Sequence, residues 1–172
     1  MAGVTLTVGF EDGEVRRTLG HWERLGRDPA PMLRAIGRGL VENTQDRFDA
    51  GQAPDGSAWE ELRPWYAATK KGAGILREAG MRGGLQGSIT FDVAGKELAV
   101  GSNKVYAAVH QFGATIKPAR ARFLVFRTAD GEVFGRARSV TIPARPYLGI
   151  SAADETMVLD VTEVFMMRAV RA

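Results

Sequence analysis

Between residues 51 and 84 the hydrophobic rhythm that marks helices and strands stops. The segment holds Pro54-Asp55-Gly56, then Trp59, Trp65 and Tyr66, then Lys70-Lys71-Gly72-Ala73-Gly74, with further glycines at Gly80, Gly83 and Gly84. A connection of that length far exceeds the usual ~4–6 residues, and such segments are mostly functional or mobile. Two tryptophans and a tyrosine are costly to leave in water. The reading is therefore a long loop or arm whose Trp59, Trp65 and Tyr66 pack either on the parent domain or on a neighbouring subunit.

The segment divides the chain into a helical first part and a hairpin-rich second part. Before it, Val4, Leu6, Val8 and Phe10 alternate as in a half-buried strand, and Glu11 to Glu14 make a turn. Val15, Leu19, Trp22 and Leu25 recur at helical spacing, with Gly26 placed to end that helix. Asp28-Pro29 starts a second helix, with Asp as cap, and Leu33, Ile36, Leu40, Thr44 and Phe48 form its apolar face as far as about Ala50. After the segment, residues 87–93 and 98–101 read as a hairpin. Val105, Val109 and Phe112 predict a short helix over 104–112, ended by Gly113. Residues 122–127 and 132–136 flank a second hairpin turn at 128–131. The prolines of Ile142-Pro143-Ala144-Arg145-Pro146-Tyr147 exclude a central strand or a helix interior. Ser151 to Asp154 has the form of a capping box, and Met157, Val158, Val161, Val164 and Phe165 give the face of a last helix.

This order implies an α+β fold: antiparallel β-hairpins forming a sheet packed with helices, a long protruding loop at 51–84, and a C-terminal helix. The 172 residues make one domain, 1–172. Hydrophobic residues at 45% and charged residues at 25% are enough for a core and argue against disorder.

Composition removes whole classes of chemistry. With no cysteine, there is no thiolate metal site, iron–sulfur cluster, disulfide or cysteine nucleophile. With two histidines, His21 and His110, a His-rich metal site is excluded too. The N-terminus lacks a basic region before its apolar residues, and no apolar run approaches the ~20 residues of a membrane span. The expectation is a soluble protein made in a cytoplasm, with no membrane partner.

Catalytic patterns are missing as well. No Gly-x-Gly-x-x-Gly follows a strand, no phosphate loop ends in Lys-Ser/Thr, and Ser88 lacks the second glycine of a nucleophile elbow. Glu60-Glu61 and Asp154-Glu155 are adjacent, which does not aim two carboxylates at one bond. His110 beside aromatic residues reads as structural, with a hydrolase using His110 and a distant carboxylate as the catalytic alternative. No cofactor is implied.

Charge is unevenly placed. The chain's net charge is +3, yet residues 117–145 hold seven basic residues against Asp130 and Glu132, an excess of five. Arg120 and Arg122 are read as sharing one strand face of the second hairpin, and Arg136 and Arg138 one face of its partner. They form either a solvated surface with ion pairs to neighbouring subunits or a basic face near DNA. Phe123 and Phe126 among those arginines suit base stacking if exposed, although the apolar content of both faces looks more like a buried strand.

Several motifs fall in a fixed order: Pro54-Asp55-Gly56 followed by Trp59 and Leu62; Leu76 with Ala79-Gly80; Leu85 with Ser88-Ile89; Val100-Gly101-Ser102-Asn103; Tyr106-Ala107-Ala108-Val109-His110-Gln111-Phe112-Gly113; and Ile142-Pro143-Ala144-Arg145-Pro146-Tyr147-Leu148-Gly149. Over about residues 30–150 they resemble the phage virion morphogenesis, or tail completion, family of Mu-like and related tailed phages. Residues 1–27 carry no motif of the family and read as an N-terminal extension. The resemblance implies a structural protein of the virion, assembled in the bacterial host cytoplasm, that completes the tail and forms part of the head–tail junction. The form implied is a ring, often of six copies, contacting neighbouring neck and tail proteins; non-specific contact with passing DNA is the alternative use of the basic residues at 117–145. It implies no enzyme activity.

The motifs also have a physical reading. Phe112 is the apolar anchor of a helix end, Gly113 the reversal, and His110 and Gln111 the polar groups that fix the loop after it. Residues 142–149 form a stiff arm carrying Arg145 and Tyr147, suited to a subunit interface or to intradomain packing. The interface candidates are thus Trp59, Trp65, Tyr66, His110, Gln111, Phe112, Arg145 and Tyr147. The candidates for a basic face are Arg120, Arg122, Arg136 and Arg138.

Overall fold

The computed structural model describes residues 9, 11–70, 72, 74–78, 84–127 and 133–168. The strand expected at residues 4–10 and the hairpin turn expected at 128–131 lie outside these residues, apart from Gly9. Helices α1 (Gly13–Arg27) and α2 (Ala30–Ala50) come first, and α3 (Pro64–Thr69) follows within the long segment. The hairpin β1 (Ile89–Ala94) and β2 (Glu97–Ser102) is followed by α4 (Ala107–Phe112) and β3 (Ala114–Ile116). Strands β4 (Leu124–Arg127), β5 (Val133–Ala137) and β6 (Val140–Ile142) precede α5 (Ala152–Met167). The fold is α+β.

The described strands make three two-stranded antiparallel sheets instead of one continuous sheet. β1 and β2 pair from Ile89–Ser102 to Ala94–Glu97. β4 and β5 pair with an irregularity between Phe126 and Arg127. β3 pairs with β6, Ala114 opposite Ile142, which no hairpin turn announces.

α2 is the central element. The Asp28 side chain accepts from the Ala30 backbone N–H at 3.1 Å, one residue earlier than a standard cap. Ile36, Thr44 and Phe48 of the expected apolar face are buried, together with Gly37 and Arg47. A Cβ on Gly37 would stand 2.5 Å from Phe91 Cδ2, so the missing side chain lets α2 lie directly on β1. The core joins Phe48 of α2, Ala53 and Trp59 of the long segment, Leu85, Ile89 of β1, Ala107 of α4 and Tyr147 of the proline arm.

The long segment therefore does not simply protrude. Its start folds back on α2: Trp59 N–H donates to Gly51 O at 2.9 Å and Ala53 N–H to Ser57 O at 2.8 Å. Asp55 Oδ1 accepts from Ser57 N and Oγ, closing the turn at Pro54-Asp55-Gly56.

α1 lies at the periphery, and among the described residues it buries none. Trp22 Nε1 donates to Met166 O at 3.1 Å, and His21 Nε2 lies 3.3 Å from Phe165 O, so α1 meets carbonyls at the open end of α5. On α5, Met157, Val158, Val161 and Phe165 are half-buried, whereas Val164, expected on the same face, is 51% exposed.

Candidate assembly surface

The two sequence motifs around His110 and Arg145 meet in space and hold each other. Gln111 is the clasp: its Oε1 accepts from the backbone N–H groups of Tyr147 and Leu148, both at 3.0 Å. Its Nε2 donates to Leu148 O at 2.9 Å. One side chain thus pairs three backbone groups of an arm whose prolines leave it few donors. Arg145 N–H donates to His110 O at 2.7 Å. Gly113, at φ +72°, lets the chain reverse, and a Cβ there would come within 2.8 Å of Ala144 N.

Arg145 and Tyr147 point inward. Arg145 is 5% exposed, and its Nε and Nη2 donate to the carbonyls of Glu60 and Glu61. Trp59 Nε1 donates to Pro146 O at 2.8 Å. Tyr147 donates its hydroxyl to Ala107 O at 3.1 Å, and burial raises that hydroxyl above its usual range, keeping it a neutral donor. Phe48 stacks edge-on to Trp59 and tilted to Tyr147, with centroids 5.4 and 5.2 Å apart. Trp59 and Tyr147, both candidates for a subunit contact, are consumed by the chain's own core and have no surface left to offer. Arg145 is likewise an internal strut.

A second buried group secures the arm from below. Arg47 pairs with Asp154 and also donates to Tyr147 O, Gly149 O and Ser151 Oγ. Asp154 is fully buried and accepts from Asn43 Nδ2 at 2.8 Å and Ser151 N–H at 2.8 Å, completing the capping box expected from the sequence. Burial pushes the Asp154 carboxyl up, but the bonds from Ser151 and Asn43 and the Arg47 charge outweigh it, leaving the group below its ordinary value. Arg47 and Asn43 were missed in the sequence. The available signal was an arginine three residues after Thr44, on the apolar stripe of α2.

His110 sits between this lock and the surface. Its ring meets Tyr106 edge-on at 5.8 Å, and Tyr106 donates to Glu78 Oε1 at 3.0 Å. Its Nδ1 is buried and lacks a hydrogen-bond partner among the described residues. Burial, and then the positive charge of Arg145, lower the imidazole below its ordinary value, with Glu78 opposing. Among the described residues no group of His, Asp and Glu is arranged to hold a metal ion, and no helix is long and apolar enough to cross a membrane.

Other candidates face outward. Phe112 is 77% exposed, so it does not anchor the helix end; Val105, expected on the same face, precedes α4 and is 98% exposed. Tyr66 on α3 is exposed, and the Trp65 side chain lies outside the described residues. The expected strand faces of the arginines need correction. Arg120 and Arg122 precede β4, and Arg138 follows β5; only Arg136 lies on a strand. All four are exposed. Arg122 and Arg138 instead meet around Phe123, at 5.4 and 6.0 Å from its ring centroid. Val125 is exposed as well, so this hairpin is not a buried one.

The arrangement is a rigid internal frame carrying exposed apolar and basic surfaces, a form suited to assembly. Comparison with known proteins agrees. Residues 10–166 match the model of the phage virion morphogenesis family, a region that takes in α1. The chain is similar to "Mu-like prophage FluMu G protein 2" of Haemophilus influenzae, 30% identical over 80% of this chain and 79% of the relative. It is similar to "Putative capsid assembly protein G" of Escherichia phage Mu, 29% identical over 92% of this chain and 94% of that one. No solved structure matches it significantly. With its motifs placed on one frame and its match running over most of its length, the chain belongs to the phage virion morphogenesis family.

Proposed function

We propose that this protein completes the phage tail and forms part of the head–tail junction as a ring, often of six copies, acting through shape and interface complementarity without catalysis. It is incorporated into the virion in the host cytoplasm, and its partners are further copies of itself and neighbouring neck and tail proteins. The observation that carries this reading is the set of large apolar side chains left uncovered on a frame that is itself rigid. Val105, Phe112, Ile150 and Leu159 are each more than half exposed. Stable specific interfaces bury about 1,200–2,000 Å², and exposed apolar residues are their usual material. The test is the solution mass of the full chain by light scattering across a concentration series. A discrete closed oligomer supports the reading, and a monomer at every concentration, also in the presence of purified tails, refutes it.

A second reading, a nucleic-acid-binding module, is favoured by the arginines grouped around Phe123 on the second hairpin. On this second reading the hairpin faces the DNA path of a ring, and its charges serve weak, sequence-independent contact with passing DNA. Each phosphate neutralised adds about 0.9 to the salt slope for duplex DNA. A nanomolar, sequence-selective duplex complex, lost on replacing Arg136 and Arg138, would promote this second reading over the first.

A further inference from the structure

We infer that the acidic outer face of α5 is the docking surface for the arginine-rich β4–β5 hairpin of a second copy of this chain. The inference rests on the proposal that the protein works as an oligomer, and it names the surfaces that meet.

The outer face of α5 is built by helical spacing. Glu155, Leu159, Glu163 and Met167 follow at intervals of four, and Asp160 and Val164 lie beside them; all six are exposed. Leu159 is 69% exposed, Val164 51% and Met167 48%. No basic residue occurs between Ala152 and Met167. Among the described residues none of the three carboxylates makes an ion pair. Asp160 and Glu163, three apart, repel each other until a cation comes between them.

The hairpin is the complement in both charge and apolar content. Arg136 stands opposite Val125 in the β4–β5 register, so the two share a face, and both are exposed. Val133 is 43% exposed. Arg122 and Arg138 meet at the base of the same hairpin, and Arg120, also exposed, precedes β4 by four residues. Among the described residues no ion pair joins these four arginines to a carboxylate of their own chain.

One copy therefore carries two faces of opposite charge, with no ion pair in either among the described residues and with valine, leucine or methionine among the charges. DNA would neutralise the hairpin and leave the α5 carboxylates and their apolar neighbours uncovered. A second copy covers both faces at once. Because the two faces differ, each copy gives its hairpin to one neighbour and its helix to the other. That is a head-to-tail interface, and it closes into a ring when the rotation between copies allows.

The experiment uses two charge-reversed full-length variants, Arg120→Glu/Arg136→Glu and Asp160→Arg/Glu163→Arg, each checked for an unchanged circular dichroism spectrum and melting temperature. Solution mass is measured for each alone, for their equimolar mixture and for the unaltered chain, at low and high salt. The expected result is association of the unaltered chain, weakened at high salt. Each variant alone associates at least about tenfold more weakly. The mixture regains the mass of the unaltered chain, because two variants alternating around a ring restore attraction at every contact. An oligomer whose mass neither variant alters overturns the hairpin–helix contact and leaves the ring proposal standing. A hairpin variant that loses DNA binding at unchanged mass overturns it in favour of nucleic acid. An unaltered chain that stays monomeric at every concentration, also in the presence of purified tails, overturns both the contact and the ring.

Discussion

Gln111 shows how one side chain can hold a motif together. Removing its amide strands the N–H groups of Tyr147 and Leu148, and an unsatisfied buried donor costs about 1–3 kcal/mol. Gln111→Ala should destabilise the chain by about 2–3 kcal/mol, read as a lower urea midpoint. His110 gives a pH dependence. Its folded-state pKa lies below the ordinary 6.5, so the folded protein prefers the neutral imidazole. The associated stability is present above about pH 6.5 and is lost as pH falls from there through the lower folded value. Urea midpoints between pH 5 and pH 8 should show that loss in the unaltered chain and a flatter profile in His110→Ala. Equal slopes would remove His110 from the account. The polar role of Gln111 was legible because a short helix ending at glycine leaves few other uses for it, whereas the buried Nδ1 of His110 has no hydrogen-bond partner among the described residues. Phe112 was misread because a helix of one and a half turns is too short for spacing to select a buried face, and Val105 falls outside it altogether.

At the level of elements, α2, α5 and the arm are joined by Arg47 and Asp154. Removing one member leaves the other charge buried and unpaired, which costs about 3–5 kcal/mol. Arg47→Met should therefore unfold the chain at markedly lower urea, and Arg47→Met/Asp154→Asn should recover part of the loss. The carboxylate adds an acid limit distinct from that of His110. Its pKa is lowered, so its contribution is present above about 3.8 and is lost as pH falls below it. Helices α1, α2 and α5 and the β1–β2 hairpin were legible because each is specified by neighbouring residues. The β3–β6 pairing was not, since three residues on either side of the second hairpin meet without a turn to announce them. α3 hid in a glycine-rich segment, where Pro64 at its start was its one clear signal.

For the whole molecule, the internal frame and the outer surfaces have separate tasks. Trp59, Arg145 and Tyr147, read as packing either within the domain or at a boundary between subunits, make the frame. Their size and polarity suit either place, and sequence spacing does not say which side of the surface a stiff arm turns toward. The family resemblance in the motifs pointed to virion assembly, and the match over residues 10–166 bears that out. The central claim beyond it is a ring of this chain at the head–tail junction. Cryo-electron microscopy of complete virions tests it most directly. The account predicts a closed ring of copies of this chain between head and tail, with the hairpin of each copy lying against α5 of the next. Virions that carry no copy of the chain at the junction would contradict it.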